Sequence, residues 1–193
     1  MVSFIELFVL FLVIFDPLIT TCTFVILTKN FTDKERRNTA LTAGLVALIP
    51  LVLFLFFGNG VLGFLKIQLT DFQIGGGVIL GLLGIKTVMG QPIVEQKHGK
   101  KQRSTKAVAT IIGTPLLTGP AIITTTIISV TQNGVVNTSI AALSALAVCL
   151  LLILYSKKLV DFIGVTMLEI VSTMFGLVTL SWGIQFIRAG LGI

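Results

Sequence analysis

Six apolar segments, separated by short connections, run through this chain of 193 residues. Each segment is long enough to cross about 30 Å of hydrocarbon as a helix. The mean hydropathy is +1.04 and only 11% of the residues are charged, against about 25% in soluble domains. We therefore expect an all-α integral membrane protein with a single transmembrane domain over residues 1–193. The predicted spans are residues 3–27, 39–57, 72–90, 107–130, 138–155 and 167–189.

Basic residues gather in alternate connections, and this pattern predicts the orientation of the spans. The first, third and fifth connections hold most of the 14 Lys and Arg residues, whereas the opposite side has only Lys66 and Arg188. The positive-inside rule then places the basic connections in the cytoplasm and both termini outside. We expect a multi-pass protein of the cell (inner or plasma) membrane. The net charge of +6 follows from these connections, so nucleic acid is not an expected partner.

The two halves of the chain resemble each other at an offset of about 98 residues. Each half holds three spans, an odd number, so the second half (about 107–193) must insert inverted relative to the first (about 1–95). A basic cytoplasmic loop, about 91–106, joins them. Two inverted three-helix repeats are a recurring plan of secondary transporters. The matched pairs are Pro17 with Pro115, Leu18 with Leu116, Thr20 with Thr118, Phe64 with Phe162, Gly77 with Gly176, and Gly84 with Gly183.

The first and fourth spans each contain a proline, Pro17 and Pro115. Proline removes a backbone donor and breaks a helix, but it is favoured at the first helical position after a cap such as Asp16. The pattern predicts two broken helices whose second halves begin near mid-membrane. Such a start exposes N–H groups and the positive end of the helix dipole, which attract an anion.

Inverted symmetry would bring the two breaks together at the midplane. A zwitterionic amino acid offers a carboxylate for the N–H groups and an ammonium for Asp16. The alternative is that Asp16 and the two prolines only shape kinks. Lys86 either extends to the cytoplasmic interface or pairs with Asp16, and these two residues are the candidates for coupling or charge balance. The predicted substrate-binding residues are Asp16, Pro17, Thr20, Thr21, Thr114, Pro115, Thr118, Gly119 and Pro120.

Other kinds of chemistry lack their motifs. The chain has no nucleotide-binding loop, so ATP is not expected to drive it directly. The spans contain no cluster of metal ligands, and His98 stands alone in a basic connection, so we expect neither an enzyme nor a bound metal or cofactor. Coupling to H⁺ or Na⁺ stays open.

The residues above resemble the MarC family, also called the small neutral amino acid transporter family, within a wider group similar to LysE-type exporters. The resemblance covers nearly the whole chain and implies a six-span inner-membrane protein. Some members transport small neutral amino acids, and others carry only an antibiotic-resistance name. This chain differs from the family pattern over Ile19–Cys22, at Ala121 and at Lys86. The matching motifs are Asp16-Pro17-Leu18, Lys34-Glu35-Arg36-Arg37, Gly75-Gly76-Gly77, Pro115-Leu116-Leu117-Thr118-Gly119-Pro120 and Gly176-Leu177.

The favoured function is a secondary transporter of small neutral amino acids that works by alternating access. Two alternatives stay open: an exporter or channel for an ion or another small solute, and a membrane assembly partner that transports nothing. The substrate, the coupling ion and the direction of transport are not fixed by the sequence. The glycine-rich third span permits a homo-oligomer without requiring one.

Overall fold

The computed structural model describes residues 3–90 and 104–193, and these two stretches contain helices and turns but no strand. The predicted loop of about 91–106 lies largely outside the described residues, together with Lys97, His98, Lys100, Lys101 and Arg103. The helices are α1 (Phe4–Phe15), α2 (Pro17–Leu27), α3 (Asp33–Leu65), α4 (Leu69–Val88), α5 (Thr105–Ile111), a wide π-type segment (Ile112–Leu117), α6 (Pro120–Asn133), α7 (Val135–Leu154), α8 (Ser156–Ile163) and α9 (Val165–Leu191).

Five helical segments of the described chain are long and apolar enough to cross a bilayer. The fourth predicted span, residues 107–130, is not among them, because it is divided between α5, the π-type segment and α6, each of which is shorter than a membrane is thick. The five segments are Phe4–Leu27, Asp33–Gly58, Leu69–Val88, Val135–Leu154 and Thr166–Leu191.

Helix α3 begins earlier and ends later than the predicted span of 39–57. A capping box fixes its start, since the Thr32 hydroxyl accepts the Glu35 N–H at 3.3 Å and the Glu35 carboxylate accepts the Thr32 N–H at 2.8 Å. Such a box satisfies two backbone donors of the first turn. The helix ends where Lys66 takes a left-handed conformation with φ of 55°. Polar turns therefore extend this helix at its start, and a glycine-rich stretch extends it at its end.

The interior of the bundle is lined by small side chains that let the helices approach closely. Helix α3 packs against α5, α6 and α7, and α1 packs against α7. Small residues at helix interfaces allow the close backbone contacts on which membrane bundles depend. The fully buried alanines of the described chain are Ala40, Ala43 and Ala47 of α3, Ala109 of α5, and Ala141, Ala142 and Ala145 of α7.

The most extensive pairing in the described bundle joins α4 to α9. Gly77 lies against Gly183, and Gly84 lies against Gly176: a methyl group built on Gly84 would come within 2.7 Å of the Gly176 carbonyl oxygen. Only glycine leaves room for two backbones at this separation. The two helices thus cross on two pairs of facing glycines.

The outer surface of the bundle is apolar. Phe64 and Phe162 are 87% and 90% exposed, and Phe56 and Phe57 are also mostly exposed. A soluble protein rarely shows so much contiguous apolar surface, whereas a bilayer solvates it. Together with the five long apolar segments, this surface identifies an integral, multi-pass membrane protein, as the composition predicts.

Candidate functional site

The first site element is the junction between α1 and α2, near the middle of the segment Phe4–Leu27. Asp16 has φ of 41° and ψ of 68°, a left-handed conformation that a non-glycine residue seldom adopts. Its N–H donates to the Val13 carbonyl at 3.1 Å, and its Oδ1 accepts the Ile19 N–H at 3.2 Å. Asp16 therefore closes α1 and caps α2, with Pro17 at the first position of α2.

The Asp16 carboxylate is buried, with 6% of the residue exposed. The Ser172 hydroxyl of α9 lies 3.0 Å from Oδ1 and 2.8 Å from Oδ2. A serine has one proton, so it donates one hydrogen bond shared between the two oxygens. Within residues 3–90 and 104–193 no cation forms an ion pair with Asp16, which leaves a buried acid with hydroxyl and amide donors but no counter-charge.

The second site element is the junction between the π-type segment and α6. Thr114 interrupts the wide turn with φ of −143° and ψ of 114°, which are extended values. Helix α6 then begins at Pro120, and no side chain of the described ranges caps its start at Gly119. The first N–H groups of a helix have no acceptor inside the helix, so this end presents free donors and a positive dipole end.

The two junctions share one hydrogen-bond arrangement. The Thr20 hydroxyl donates to the Phe15 carbonyl at 3.2 Å, and the Thr118 hydroxyl donates to the Gly113 carbonyl at 2.8 Å. Each bond reaches five residues back, and both donor and acceptor positions correspond at the offset of 98 in the sequence. At the first junction the Thr20 hydroxyl supplies a donor to the Phe15 carbonyl. At the second, the Gly113 carbonyl also accepts the Thr118 N–H at 3.1 Å, so Thr118 bonds this carbonyl through both its hydroxyl and its backbone.

Both junctions line one cavity of about 140 Å³. Helices α4 and α9 close its remaining sides, so its walls come from four parts of the chain. Its polar side chains are Asp16, Thr20, Thr87 and Thr179, and the rest of its wall is mainly aliphatic. The lining residues are Val13, Ile14, Phe15, Asp16, Ile19, Thr20, Ile79, Leu83, Thr87, Gly119, Pro120, Ala121, Ile122 and Thr179.

The size of the cavity limits its occupant to a small molecule. Engineered cavities of about 150 Å³ hold benzene, and alanine has as many non-hydrogen atoms as benzene. The mostly apolar wall with a few placed polar groups is typical of small-molecule sites. The cavity therefore has room for a solute of the size of glycine or alanine.

The structure brings four of the predicted site residues to the cavity and leaves the others away from its wall. Pro17, Thr21 and Thr118 are buried behind it, Thr114 is exposed, and the side chain of Pro115 lies outside the described part. The four residues at the wall are Asp16, Thr20, Gly119 and Pro120.

Lys86 does not reach the site. It lies in the last turn of α4, is exposed, and makes no ion pair with any residue of the described ranges. The neighbouring Thr87 lines the cavity instead.

Sequence reasoning missed Ser172 and Thr179 of α9. Ser172, Gly176, Thr179 and Gly183 recur at the spacing of one helical face, and the structure buries all four. This run of small and hydroxyl side chains could have indicated an inward face of α9. Nothing in it indicates that Ser172 contacts Asp16, because the two residues are 156 positions apart.

Comparisons with known proteins agree with this architecture. Residues 1–192 match the sequence profile described as "MarC family integral membrane protein". A UPF0056 membrane protein of Chlamydia pneumoniae is 31% identical, covering 100% of this chain and 96% of the relative. One from Methanocaldococcus jannaschii is 30% identical over 92% of this chain and 90% of the relative.

The UPF0056 membrane protein YhcE of Escherichia coli is 29% identical, covering 87% of this chain and 82% of the relative. The names of these relatives describe membrane proteins and do not specify a substrate. No solved structure matches the chain significantly.

Proposed function

We propose that this chain, which belongs to the MarC family of integral membrane proteins, is a secondary transporter of small neutral amino acids of the glycine and alanine class. One observation carries the proposal: the cavity is lined by both interrupted segments, with Asp16 on one wall and the start of α6 on another. A buried acid and an uncapped helix start then face the same small space.

A zwitterion fits these two features. Its carboxylate accepts hydrogen bonds from the free N–H groups at the start of α6, where the helix dipole also favours negative charge. Its ammonium group lies against Asp16 and supplies the counter-charge that no residue of 3–90 or 104–193 provides. A buried charge is stable only when paired and hydrogen-bonded, so the two ends of the solute and the two features of the site satisfy each other.

The remaining wall selects for a small, neutral side chain. Ile79, Leu83 and Ile122 line the cavity with aliphatic surface, which offers no partner to a charged or strongly polar side chain. Because an unpaired buried charge is costly, acidic and basic amino acids should be rejected. The volume of about 140 Å³ favours glycine and alanine over aromatic amino acids.

We propose further that the chain contains six spans in two inverted three-helix repeats, with α1–α2 and α5–α6 as the two spans interrupted near Pro17 and Pro115. The facing glycines support this symmetry. In the sequence repeat, Gly77 corresponds to Gly176 and Gly84 corresponds to Gly183. A two-fold axis between α4 and α9 would exchange the members of each pair. It would therefore convert the contact of Gly77 with Gly183 into the contact of Gly176 with Gly84. Both contacts are present.

Two further pairs of positions support the same relation. Lys66 and Gly164, which correspond at the offset of 98, both have positive φ, 55° and 82°. Phe64 and Phe162 correspond in the same way and are nearly equally exposed. In this proposal alternating access moves one repeat against the other around a fixed central cavity, as in other transporters with inverted repeats.

The orientation is part of the proposal. Connections rich in Lys and Arg favour the cytoplasmic side, so both termini would lie outside and the protein would reside in the cell membrane. The ends of α2, α4 and α7 and the starts of α3, α5 and α9 would then lie at the cytoplasmic end of the bundle.

The described part of the chain provides no cation to pair with Asp16, and this also bears on coupling and on the alternative function. Between substrates the carboxylate needs a proton or a cation, which makes H⁺ or Na⁺ coupling at Asp16 part of the proposal. The second candidate function, export of a monovalent cation, is favoured by the Ser172 hydroxyl, which lies 2.8 Å from the same carboxylate, and by Thr20, which lines the same cavity. Oxygen donors of this kind suit a hard monovalent cation.

The test is counterflow of labelled alanine and glycine in liposomes that contain the purified protein, with and without H⁺ or Na⁺ gradients. We expect saturable exchange that Asp16→Asn abolishes. The matched control is Asp71→Asn, which changes an exposed acid in the first turn of α4 and should exchange like the wild type. Cation flux without amino acid exchange would favour the second candidate function and contradict the first.

A further inference from the structure

A second, larger cavity of about 700 Å³ lies at one end of the bundle, where α3 begins and α7 gives way to α8. We call it the basic groove. Its charged wall includes Arg36 and Arg37 from α3 and Lys157 and Lys158 from α8, and Leu151 of α7 contributes to its apolar wall. It shares no residue with the cavity at Asp16.

Three of the four cations in the groove are free to bind a ligand. Arg36 is occupied: its guanidinium donates to the Thr28 carbonyl at 3.1 Å and lies 3.9 Å from Asp33. Arg37, Lys157 and Lys158 are exposed and form no ion pair with another described residue.

Among the described residues of the wall the cations outnumber the acids, since two acids, Asp33 and Asp161, oppose the four cations. Asp33 is the acid that pairs with Arg36. The free cations therefore attract an anion.

The groove also has an apolar side, at the level where the protein leaves the membrane. The candidate span Val135–Leu154 ends beside it, and the span Asp33–Gly58 begins there. Leu151 is 54% exposed and Tyr155 is 61% exposed. Tyrosine is enriched at membrane interfaces, where its ring meets lipid and its hydroxyl meets water. The groove thus offers positive charge and apolar surface side by side at the boundary of the bilayer.

We propose that the basic groove binds an anionic phospholipid, with its phosphate between Arg37, Lys157 and Lys158 and an acyl chain along Leu151. Basic pockets between spanning helices commonly bind anionic headgroups in this way. A free inorganic anion would use only the charged wall. The exposed leucine beside the cations is what favours a lipid.

Basic residues at this end also act as a topology signal, and that role alone requires no groove. The two explanations make different predictions. A topology signal depends on the number of charges at this end, whereas a binding site depends on which charges line the groove.

The test counts the lipids that remain bound to the purified full-length protein, by native mass spectrometry, during titration with phosphatidylglycerol or phosphatidylcholine. We expect the wild type to retain phosphatidylglycerol in preference to phosphatidylcholine. Each cation near a membrane surface is worth about fivefold in affinity. The variant Arg37→Gln/Lys157→Gln/Lys158→Gln should therefore bind phosphatidylglycerol about 100-fold more weakly.

A charge-matched control distinguishes binding in the groove from attraction by the total positive charge at this end of the protein. Lys29→Gln/Lys34→Gln/Lys106→Gln removes three exposed cations that do not line the groove, and it should bind phosphatidylglycerol nearly as well as the wild type. Equal losses in the two triple variants would overturn the proposal.

Two of the measurements use only the wild-type protein, so they test the proposal even if the groove variant fails to fold. Equal retention of phosphatidylglycerol and phosphatidylcholine would overturn the proposal, because the cations would then play no part. Displacement of the bound lipid by millimolar inorganic phosphate would also overturn it and would assign the groove to a soluble anion.

Discussion

The crossing of α4 and α9 on facing glycines gives a prediction whose size follows from the structure. In Gly84→Ala the new methyl group would lie 2.7 Å from the Gly176 carbonyl oxygen and 2.7 Å from the Leu180 nitrogen. Both atoms belong to the backbone, so the two helices must move apart. Overpacking of this kind costs about 1–3 kcal/mol.

Gly81→Ala is the matched control on the same helix. Its new methyl group would meet only the Leu180 side chain, at 3.8 Å, which is an ordinary contact. Both changes raise helix propensity by about 0.5–1 kcal/mol, and this gain cancels when the two variants are compared. The difference between them therefore isolates the cost of separating the backbones.

The assay is thermal unfolding of the purified protein in one detergent. At about 2–4 °C for each kcal/mol in a chain of this length, Gly84→Ala should melt about 2–12 °C below Gly81→Ala. Equal Tm values would refute the close packing of α4 on α9, and with it the symmetric contact that supports the inverted repeat.

Two further predictions concern the site. Ser172→Ala removes the hydroxyl that bonds Asp16 in the substrate-free protein, and since hydrogen bonds to charged groups are worth about 1.5–3 kcal/mol of stability, the Tm should fall by about 3–12 °C. Ser181→Ala, which loses only a bond to its own helix, should leave the Tm nearly unchanged. Pro17→Ala should slow counterflow several-fold, because Pro17 is the first residue of α2, next to the cavity, and Pro115→Ala should do the same, because Pro115 holds the corresponding place in the second half of the sequence. A neutral result for only one proline would contradict the symmetric site.

The sequence predicts the spans well where one helix crosses the membrane alone. The predicted spans at 72–90 and 138–155 agree within a few residues with α4 and α7, because apolar composition decides the extent of a spanning helix. Helix α3 exceeds its prediction because Thr32 and Glu35 cap polar turns that hydropathy does not register. The membrane class and the family are confirmed.

The fourth segment shows what hydropathy cannot predict. Residues 107–130 form one apolar run, but the structure divides the run at Thr114 and again before Pro120. Local dihedral angles at two residues decide this division, and a hydropathy window averages over them. Helix α8 was not predicted for a related reason. Lys157 and Lys158 make its sequence polar, so it resembles a connection between two spans.

The parts of the candidate site that depend on neighbouring residues in the sequence could be predicted. Asp16 next to Pro17 indicates a capped helix start whatever surrounds it. The contact of Asp16 with Ser172 depends instead on how α9 packs against the α1–α2 junction, and a single sequence does not encode that register in any local motif. For the same reason Thr21 and Thr114, which are close to the breaks in sequence, lie away from the cavity wall.

The most direct test of the central claim is protection of the cavity from a thiol reagent by alanine. The background replaces Cys22 and Cys149, both buried, with alanine. Single cysteines then go to Ile19 and Ala121, which line the cavity from the two junctions, and to the exposed Thr70 as a control.

If the cavity between the two junctions holds the substrate, alanine should slow labelling at both cavity positions several-fold and leave the Thr70→Cys variant unchanged. Glutamate, which carries a second negative charge, should protect neither position. Labelling at Ile19→Cys and Ala121→Cys that proceeds at the same rate with and without alanine would contradict the account.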